Sequence, residues 1–140
     1  MSDTFSSFHI SASGLSAERM RMNIISNNLA NANTTNGSGQ EPYSRKMVLF
    51  KEVLADTVDV SNQEGQGVAV DRIIESKAPF KRVYDPAHPD ADKDGFVSFP
   101  NVNPVEEMVD MITATRAYEA NVAAFNAAKS MAIKALEMGQ

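Results

Sequence analysis

The sequence contains no cysteine and no tryptophan among its 140 residues, and it has only 7 glycines and 6 prolines. Without cysteine the chain has no disulfide framework, no thiolate nucleophile and no cysteine-based zinc site. So few glycines and prolines exclude collagen-like and low-complexity chains. No run approaches about 18 consecutive apolar residues, and no basic stretch precedes an apolar one at the start. We therefore predict neither a membrane-spanning helix nor a cleaved signal peptide.

Basic residues are in deficit, because 13 Lys and Arg stand against 18 Asp and Glu, for a net charge of -5. An acidic chain has no general attraction to phosphate backbones, so we expect no nucleic-acid partner. The sequence also lacks a phosphate-cradling glycine loop and a serine-nucleophile elbow. We accordingly predict no catalytic residue, no cofactor and no small-molecule substrate.

Charged residues concentrate in the middle of the chain, which predicts two apolar terminal segments around a solvated central insertion. The expected regions are an N-terminal helix at 1–34, a polar loop at 35–42, a small β-rich insertion at 43–100 and a C-terminal helix at 101–140. The short strands expected within the insertion lie at 43–53, 68–75, 79–84 and 96–99.

The C-terminal segment carries the clearest helix signal. Asn103 can cap the helix, Pro104 suits its first position and Gly139 is placed to end it, which predicts a helix over 104–138. At 1.5 Å per residue this helix would be about 52 Å long, whereas a compact chain of this size is about 37 Å across. The molecule should therefore be elongated. Few charges lie along the helix, so more than one of its sides should be buried.

Apolar residues recur at heptad spacing along both terminal segments. This pattern predicts a mainly α fold in which the N- and C-terminal helices pair as an elongated coiled coil, and the same stripes should form an assembly interface. The predicted interface residues are Phe8, Leu15, Met22, Ile25, Leu29, Met108, Met111, Tyr118, Val122, Phe125 and Leu136. The serine-rich N-terminal segment should be only marginally helical alone, so it should become ordered on packing.

An acidic stretch with Asp90, Asp92 and Asp94 fits the opening of a calcium-binding loop. The match then fails, because Asn101 stands where the closing glutamate belongs and prolines flank the loop in place of helices. His88 lies beside these carboxylates, but a metal site normally needs more than one imidazole with loop carboxylates. We interpret the stretch as an acidic turn and assign no metal ligand. Two alternative hypotheses for the function of the chain stay open at this point. One is a calcium-binding interaction module that uses this stretch, and the other is a soluble dimeric adaptor joined by the C-terminal helix.

Several short blocks resemble the flagellar axial proteins, and among them the rod proteins of the bacterial basal body. Asn-Asn-Leu-Ala-Asn at 27–31 is shared by axial proteins generally, whereas Tyr-Asp-Pro-Ala-His-Pro at 84–89 and Pro-Asn-Val-Asn at 100–103 favour a rod protein. Further similar blocks lie at 11–15 and 116–122, so the resemblance covers nearly the whole chain. One departure is Asn36, where many axial relatives have proline before the glycine, and it affects only the loop.

The resemblance implies a non-enzymatic structural subunit that is exported without a cleaved signal and polymerises into the periplasmic drive shaft transmitting motor torque. The partners that it implies are further copies of the chain, other flagellar rod proteins, the basal-body base with its MS-ring and adaptor protein, and the export apparatus.

Overall fold

The computed structural model describes residues 2–36, 40–54 and 65–138. Long helices lie at the two ends of the chain, and short strands lie between them. In chain order the elements are α1 (Ser2–Asn31), β1 (Lys46–Leu54), β2 (Gly65–Glu75), β3 (Lys81–Tyr84), β4 (Phe96–Phe99) and α2 (Pro104–Met138). The strands form two separate antiparallel pairs, β1 with β2 and β3 with β4.

Helix α2 begins where its capping residues predict. The Asn103 side chain accepts a hydrogen bond from the Val105 amide at 3.1 Å, and its carbonyl accepts one from the Glu107 amide at 3.0 Å. These bonds satisfy backbone donors that the first turn of a helix leaves unpaired. The predicted helix over 104–138 is therefore confirmed, while Gly139, the predicted stop, lies outside the described residues.

Helix α1 ends three residues before the predicted bound of 34. The backbone amide and the side-chain hydroxyl of Thr34 both donate to the Asn31 carbonyl, at 3.2 and 2.9 Å. The helix ends at this turn because the last carbonyl of α1, that of Asn31, accepts these two bonds from Thr34 instead of a bond that would continue the helix. Part of the loop predicted at 35–42 lies outside the described residues.

The strands begin at different residues from those predicted, except β4, which is confirmed at 96–99. Strand β1 starts at Lys46 in place of residue 43, and the Arg45 amide just before it donates to the Asn101 side chain instead of to β2. Pairing of β1 with β2 also shifts register twice, between Leu49 and Phe50 and between Glu52 and Leu54. The alternation of apolar and polar residues along a strand does not predict such register shifts.

Helix α1 contacts both α2 and the β1–β2 pair. Among the elements of the described residues, α2 packs only against α1. The buried apolar side chains are few and mostly small, and they include Ala17, Ile24, Ile25, Ala114 and Ala128. Much of the surface of α2 is consequently left open in the single subunit.

The predicted fold class, mainly α with a coiled coil of the terminal helices, is wrong. Helices account for 52% and strands for 22% of the structure, with the strands in two small sheets, and the terminal helices pack together but do not show a coiled coil. Three of the predicted interface residues of α2, namely Met108, Val122 and Leu136, are exposed. Glu107, Ala114, Asn121 and Ala128 take the inward positions instead. These small or polar residues lack the large apolar side chains that a coiled-coil seam requires.

Candidate assembly surface

Large apolar side chains follow the length of α2 on its solvent side. Val105, Val109 and Ile112 recur at helical spacing near its start and are 63%, 58% and 56% exposed. Leu136, near the other end, is 65% exposed. We call this set the outer surface of α2, and its members are Val105, Met108, Val109, Ile112, Val122, Met131, Ile133, Leu136 and Met138. Apolar surfaces of this extent normally mark an interaction site.

The predicted interface residues divide into two groups. Those that the fold covers fully or partly are Phe8, Leu15, Met22, Ile25, Leu29, Met111, Tyr118 and Phe125, whereas Met108, Val122 and Leu136 belong to the outer surface of α2. The Phe8 and Phe125 rings meet edge to face with centroids 5.0 Å apart. Met22 accepts a hydrogen bond from Thr115 at 3.7 Å. Phe8, Met22 and Phe125 therefore contribute to the packing of α1 against α2 within one subunit.

Asn28 is the centre of a buried polar cluster that joins the end of α1 to the start of β1 and the start of α2. It is 1% exposed. Its Nδ2 donates to the Lys46 carbonyl at 2.8 Å and to Glu107 Oε2 at 3.0 Å. Its Oδ1 accepts from the Tyr43 hydroxyl at 2.8 Å and from the Lys46 amide at 3.0 Å. Every donor and acceptor of this amide is therefore satisfied, as burial requires.

Glu107 brings a carboxylate into the same cluster and is completely buried. Its Oε1 accepts a hydrogen bond from Nε of Arg45, whose Nη2 also lies 3.3 Å from Asp110. Burial, followed by the negative charge of Glu107 and then of Glu75, raises the pKa of Tyr43 above its usual value. A buried carboxylate is stable only when it is paired and hydrogen-bonded, and this one is both.

Asn101 ties the start of β1 to the segment that follows β2. Its Oδ1 accepts from the Arg45 amide at 2.7 Å, and its Nδ2 donates to the carbonyls of Ser76 and Ala78 at 3.2 and 2.8 Å. The polar cluster and Asn101 together clamp α1, β1 and the start of α2. The polar groups of Asn28 and Asn101 form hydrogen bonds within the subunit, so these residues fix the positions of the helices and strands.

No pattern in the sequence predicted this cluster. Arg45, which lies just before β1, pairs with the buried carboxylate of Glu107. Glu107 stands 79 residues from Asn28, so no local pattern connects them. The available signal was the Asn-Asn-Leu-Ala-Asn block itself, since a polar residue at a covered helix position needs a partner.

The acidic stretch is an internally bonded loop. Asp92 Oδ1 accepts from the amides of Asp94 and Phe96, both at 2.9 Å, and its Oδ2 accepts from Arg82 at 2.7 Å. Asp90 accepts from the Thr35 hydroxyl at 2.6 Å. The bond from the Phe96 amide, above all, lowers the pKa of Asp92. In the part of the chain that the structure describes, no group of three or more potential ligands could hold a metal ion. The calcium-module hypothesis is therefore not supported.

Comparison with known proteins identifies the family. A family model described as "Flagella basal body rod protein" matches residues 8–36, and one described as "Flagellar basal body rod FlgEFG protein C-terminal" matches 93–138. The flagellar basal-body rod protein FlgC of Bacillus subtilis strain 168 is 46% identical, covering 97% of this chain and 98% of the relative. This chain belongs to the FlgC family. The FlgC proteins of Borreliella burgdorferi and Salmonella typhimurium are 45% and 43% identical, covering 97% and 95% of this chain and 97% and 96% of the relatives.

Membership of the FlgC family confirms the resemblance read from the short sequence blocks. The two matched segments include most of α1 and all of α2. Neither helix, within the described residues, has a stretch long and apolar enough to cross a membrane. The FlgC relatives are named as rod proteins, and none of these three carries the name of an enzyme.

Proposed function

We propose that this chain is a non-enzymatic structural subunit of the flagellar basal-body rod and that it polymerises through its terminal helices. The observation that carries the proposal is the outer surface of α2, which presents large apolar side chains on a helix that packs, among the described elements, only against α1. If this surface meets a different surface of the next subunit, the contact is heterologous, and heterologous contacts whose rotation does not close into a ring build a filament.

The apolar area is large enough to drive assembly. Full burial of a Val, Leu, Ile or Met side chain contributes about 1.5 to 3 kcal/mol, and the side chains of the outer surface are still half exposed or more in most cases. Covering them would contribute roughly 1 kcal/mol each. The sum over this surface can offset the cost of association, which is about 4 to 15 kcal/mol.

Membership of the FlgC family supports a proposal for the partners and the location. We place the subunit in the rod where it crosses the periplasm, in contact with further copies, other rod proteins and the basal-body base with its MS-ring and adaptor protein. It reaches that position through the export apparatus without a cleaved signal. Packed helices running along such a rod would transmit motor torque as a drive shaft. The names of the relatives support this placement, since each is a flagellar basal-body rod protein.

The proposal is tested by introducing a charge on the outer surface of α2. Ile112→Glu places a carboxylate at a site that is 56% exposed, and glutamate is a good helix former, so the subunit should still fold. We expect its melting temperature to stay within about 3 °C of wild type. In a bacterium that carries it as the sole copy, we expect loss of rods and of swimming.

The matched control is Ile112→Met, which keeps the apolar surface and the helix and should leave rods and swimming intact. A charge at Phe125 would be a poorer test because Phe125 packs on Phe8, so the fold itself would suffer. Normal rods containing Ile112→Glu would contradict the proposal.

A further inference from the structure

A groove of roughly 320 Å³ opens between α1, the β1–β2 pair and α2. The residues that line it are Ile10, Gly14, Ala17, Glu18, Phe50, Gly67, Val68 and Asn121. Most of these walls are apolar, and Glu18 supplies the only carboxylate among the lining residues. The groove would accommodate a single long side chain, because it is at the small end of the range of ligand pockets.

The Glu18 carboxylate is incompletely paired. Its Oε2 is buried and, within the described residues, lacks a hydrogen-bond partner. Glu18 forms a long ion pair with Arg21, whose Nη1 lies 3.9 Å from Oε2 and whose Nη2 lies 3.6 Å from Asp110. Only 17% of the Glu18 side chain is exposed. A desolvated carboxylate oxygen without a donor destabilises the single subunit, so it calls for a partner.

We propose that this groove receives a lysine side chain, Lys129 or Lys134, from α2 of a second copy of the chain. The inference rests on the proposed function, because it requires copies to meet in a polymer. Apolar walls suit the aliphatic stem of lysine, and the Glu18 carboxylate suits its ammonium. Both lysines are exposed, and neither forms an ion pair with any residue that the structure describes.

The donor must come from another copy. Asn121 lies in the groove wall, and at 1.5 Å per residue Lys129 is about 12 Å and Lys134 about 20 Å further along the same helix. A lysine side chain does not span those distances back along its own helix. The contact therefore joins the C-terminal part of one subunit to the middle of the next, which is a head-to-tail contact of the kind that propagates.

The first test separates assembly from folding. Glu18→Gln removes the buried charge, so the melting temperature of the purified chain should stay the same or rise. In cells that express both variant and wild type, the share of variant in isolated basal bodies should fall about tenfold, the factor that corresponds to 1.4 kcal/mol. Glu52→Gln, at an exposed position of β1, is the matched control and should incorporate like wild type.

A charge exchange identifies the donor. Glu18→Lys should be excluded from rods, and adding Lys129→Glu or Lys134→Glu to the same chain should restore incorporation for one of the two. Equal incorporation of Glu18→Gln and wild type would overturn the inference. A lowered melting temperature of Glu18→Gln, or rescue by neither lysine change, would overturn it as well. If rods exclude Ile112→Glu but accept Glu18→Gln, only this inference fails and the proposed function stands.

Discussion

Replacing Asn28 by aspartate would test whether the buried polar cluster holds the end of α1 against the start of α2. The substitution keeps the shape of the side chain and exchanges its donating Nδ2 for an oxygen. That oxygen would face Glu107 Oε2 at 3.0 Å and the Lys46 carbonyl at 2.8 Å. Two acceptors would then oppose each other where Asn28 and Glu107 are 1% and 0% exposed.

The expected loss of stability follows from these contacts. A hydrogen bond to a charged group is worth about 1.5 to 3 kcal/mol and a neutral one about 1 kcal/mol, so the two lost bonds and the new repulsion should cost about 4 kcal/mol. This is a large part of the total stability of a domain, about 5 to 15 kcal/mol. At about 3 °C per kcal/mol the melting temperature should fall by about 12 °C, measured by circular dichroism at neutral pH.

A double-mutant cycle isolates the contact. Adding Glu107→Gln to Asn28→Asp supplies an amide donor opposite the new oxygen, so the pair should destabilise less than the sum of the single changes by at least about 1 kcal/mol. A melting temperature for Asn28→Asp within about 2 °C of wild type would refute the reasoning. Strict additivity of the two changes would refute the assigned contact.

Three further predictions concern a glycine of β2, a tyrosine and the acidic loop. Gly67 has a φ of +108° and its missing Cβ would collide with α1, so Gly67→Ala should lower the free energy of unfolding by about 3 kcal/mol. Gly14→Ala is the comparison, because its Cβ would meet the Asn121 side chain, which can move. It should change the free energy of unfolding by less than about 1 kcal/mol. Both values are measured by urea titration, and equal effects of the two substitutions would contradict this prediction. Because burial raises the pKa of Tyr43 above 10.0, the folded state keeps its phenol proton longer than the unfolded state. Stability should therefore fall as the pH rises from 10.0 through the raised value, and alkaline melting should show a shallower fall in Tyr43→Phe than in wild type. The hydrogen bond from the Phe96 amide, above all, lowers the pKa of Asp92 below 3.8. The amides of the acidic loop should therefore be protected from hydrogen exchange above that pH and lose this protection as the pH falls through the lowered value. Amide exchange that Asp92→Ala leaves unchanged at neutral pH would contradict this role of Asp92.

Local signals predicted α2 well because its start is determined by neighbouring residues. Asn103 and Pro104 act through hydrogen bonds and a dihedral restriction within one turn, so the sequence alone contains the necessary information. The inward side of α2 was predicted less well. Two adjacent lines of residues on α2 both have heptad spacing. Only the larger size of its side chains favoured the line through Met108 and Val122 as the inward one. The structure turns the line through Ala114 inward, where small side chains allow α1 to approach.

The polar cluster depends on contacts that only the tertiary fold creates. Asn28, Arg45 and Glu107 come from three separate parts of the chain, and each has an ordinary local interpretation as a helix, loop or first-turn residue. The groove at Glu18 is similar, since its walls come from both helices and both strands of one sheet. The division of the chain at 34, 42 and 100 remains a prediction, as does the role of the predicted interface residues in assembly.

Side-chain resolution imaging of isolated basal bodies by electron cryomicroscopy tests the central claim most directly, namely that neighbouring subunits cover the outer surface of α2. We predict that Val109, Ile112 and Leu136, all more than half exposed in the single subunit, are buried against adjacent helices in the rod. A rod in which these side chains face solvent, while the subunits meet through the strand-bearing insertion, would contradict the account.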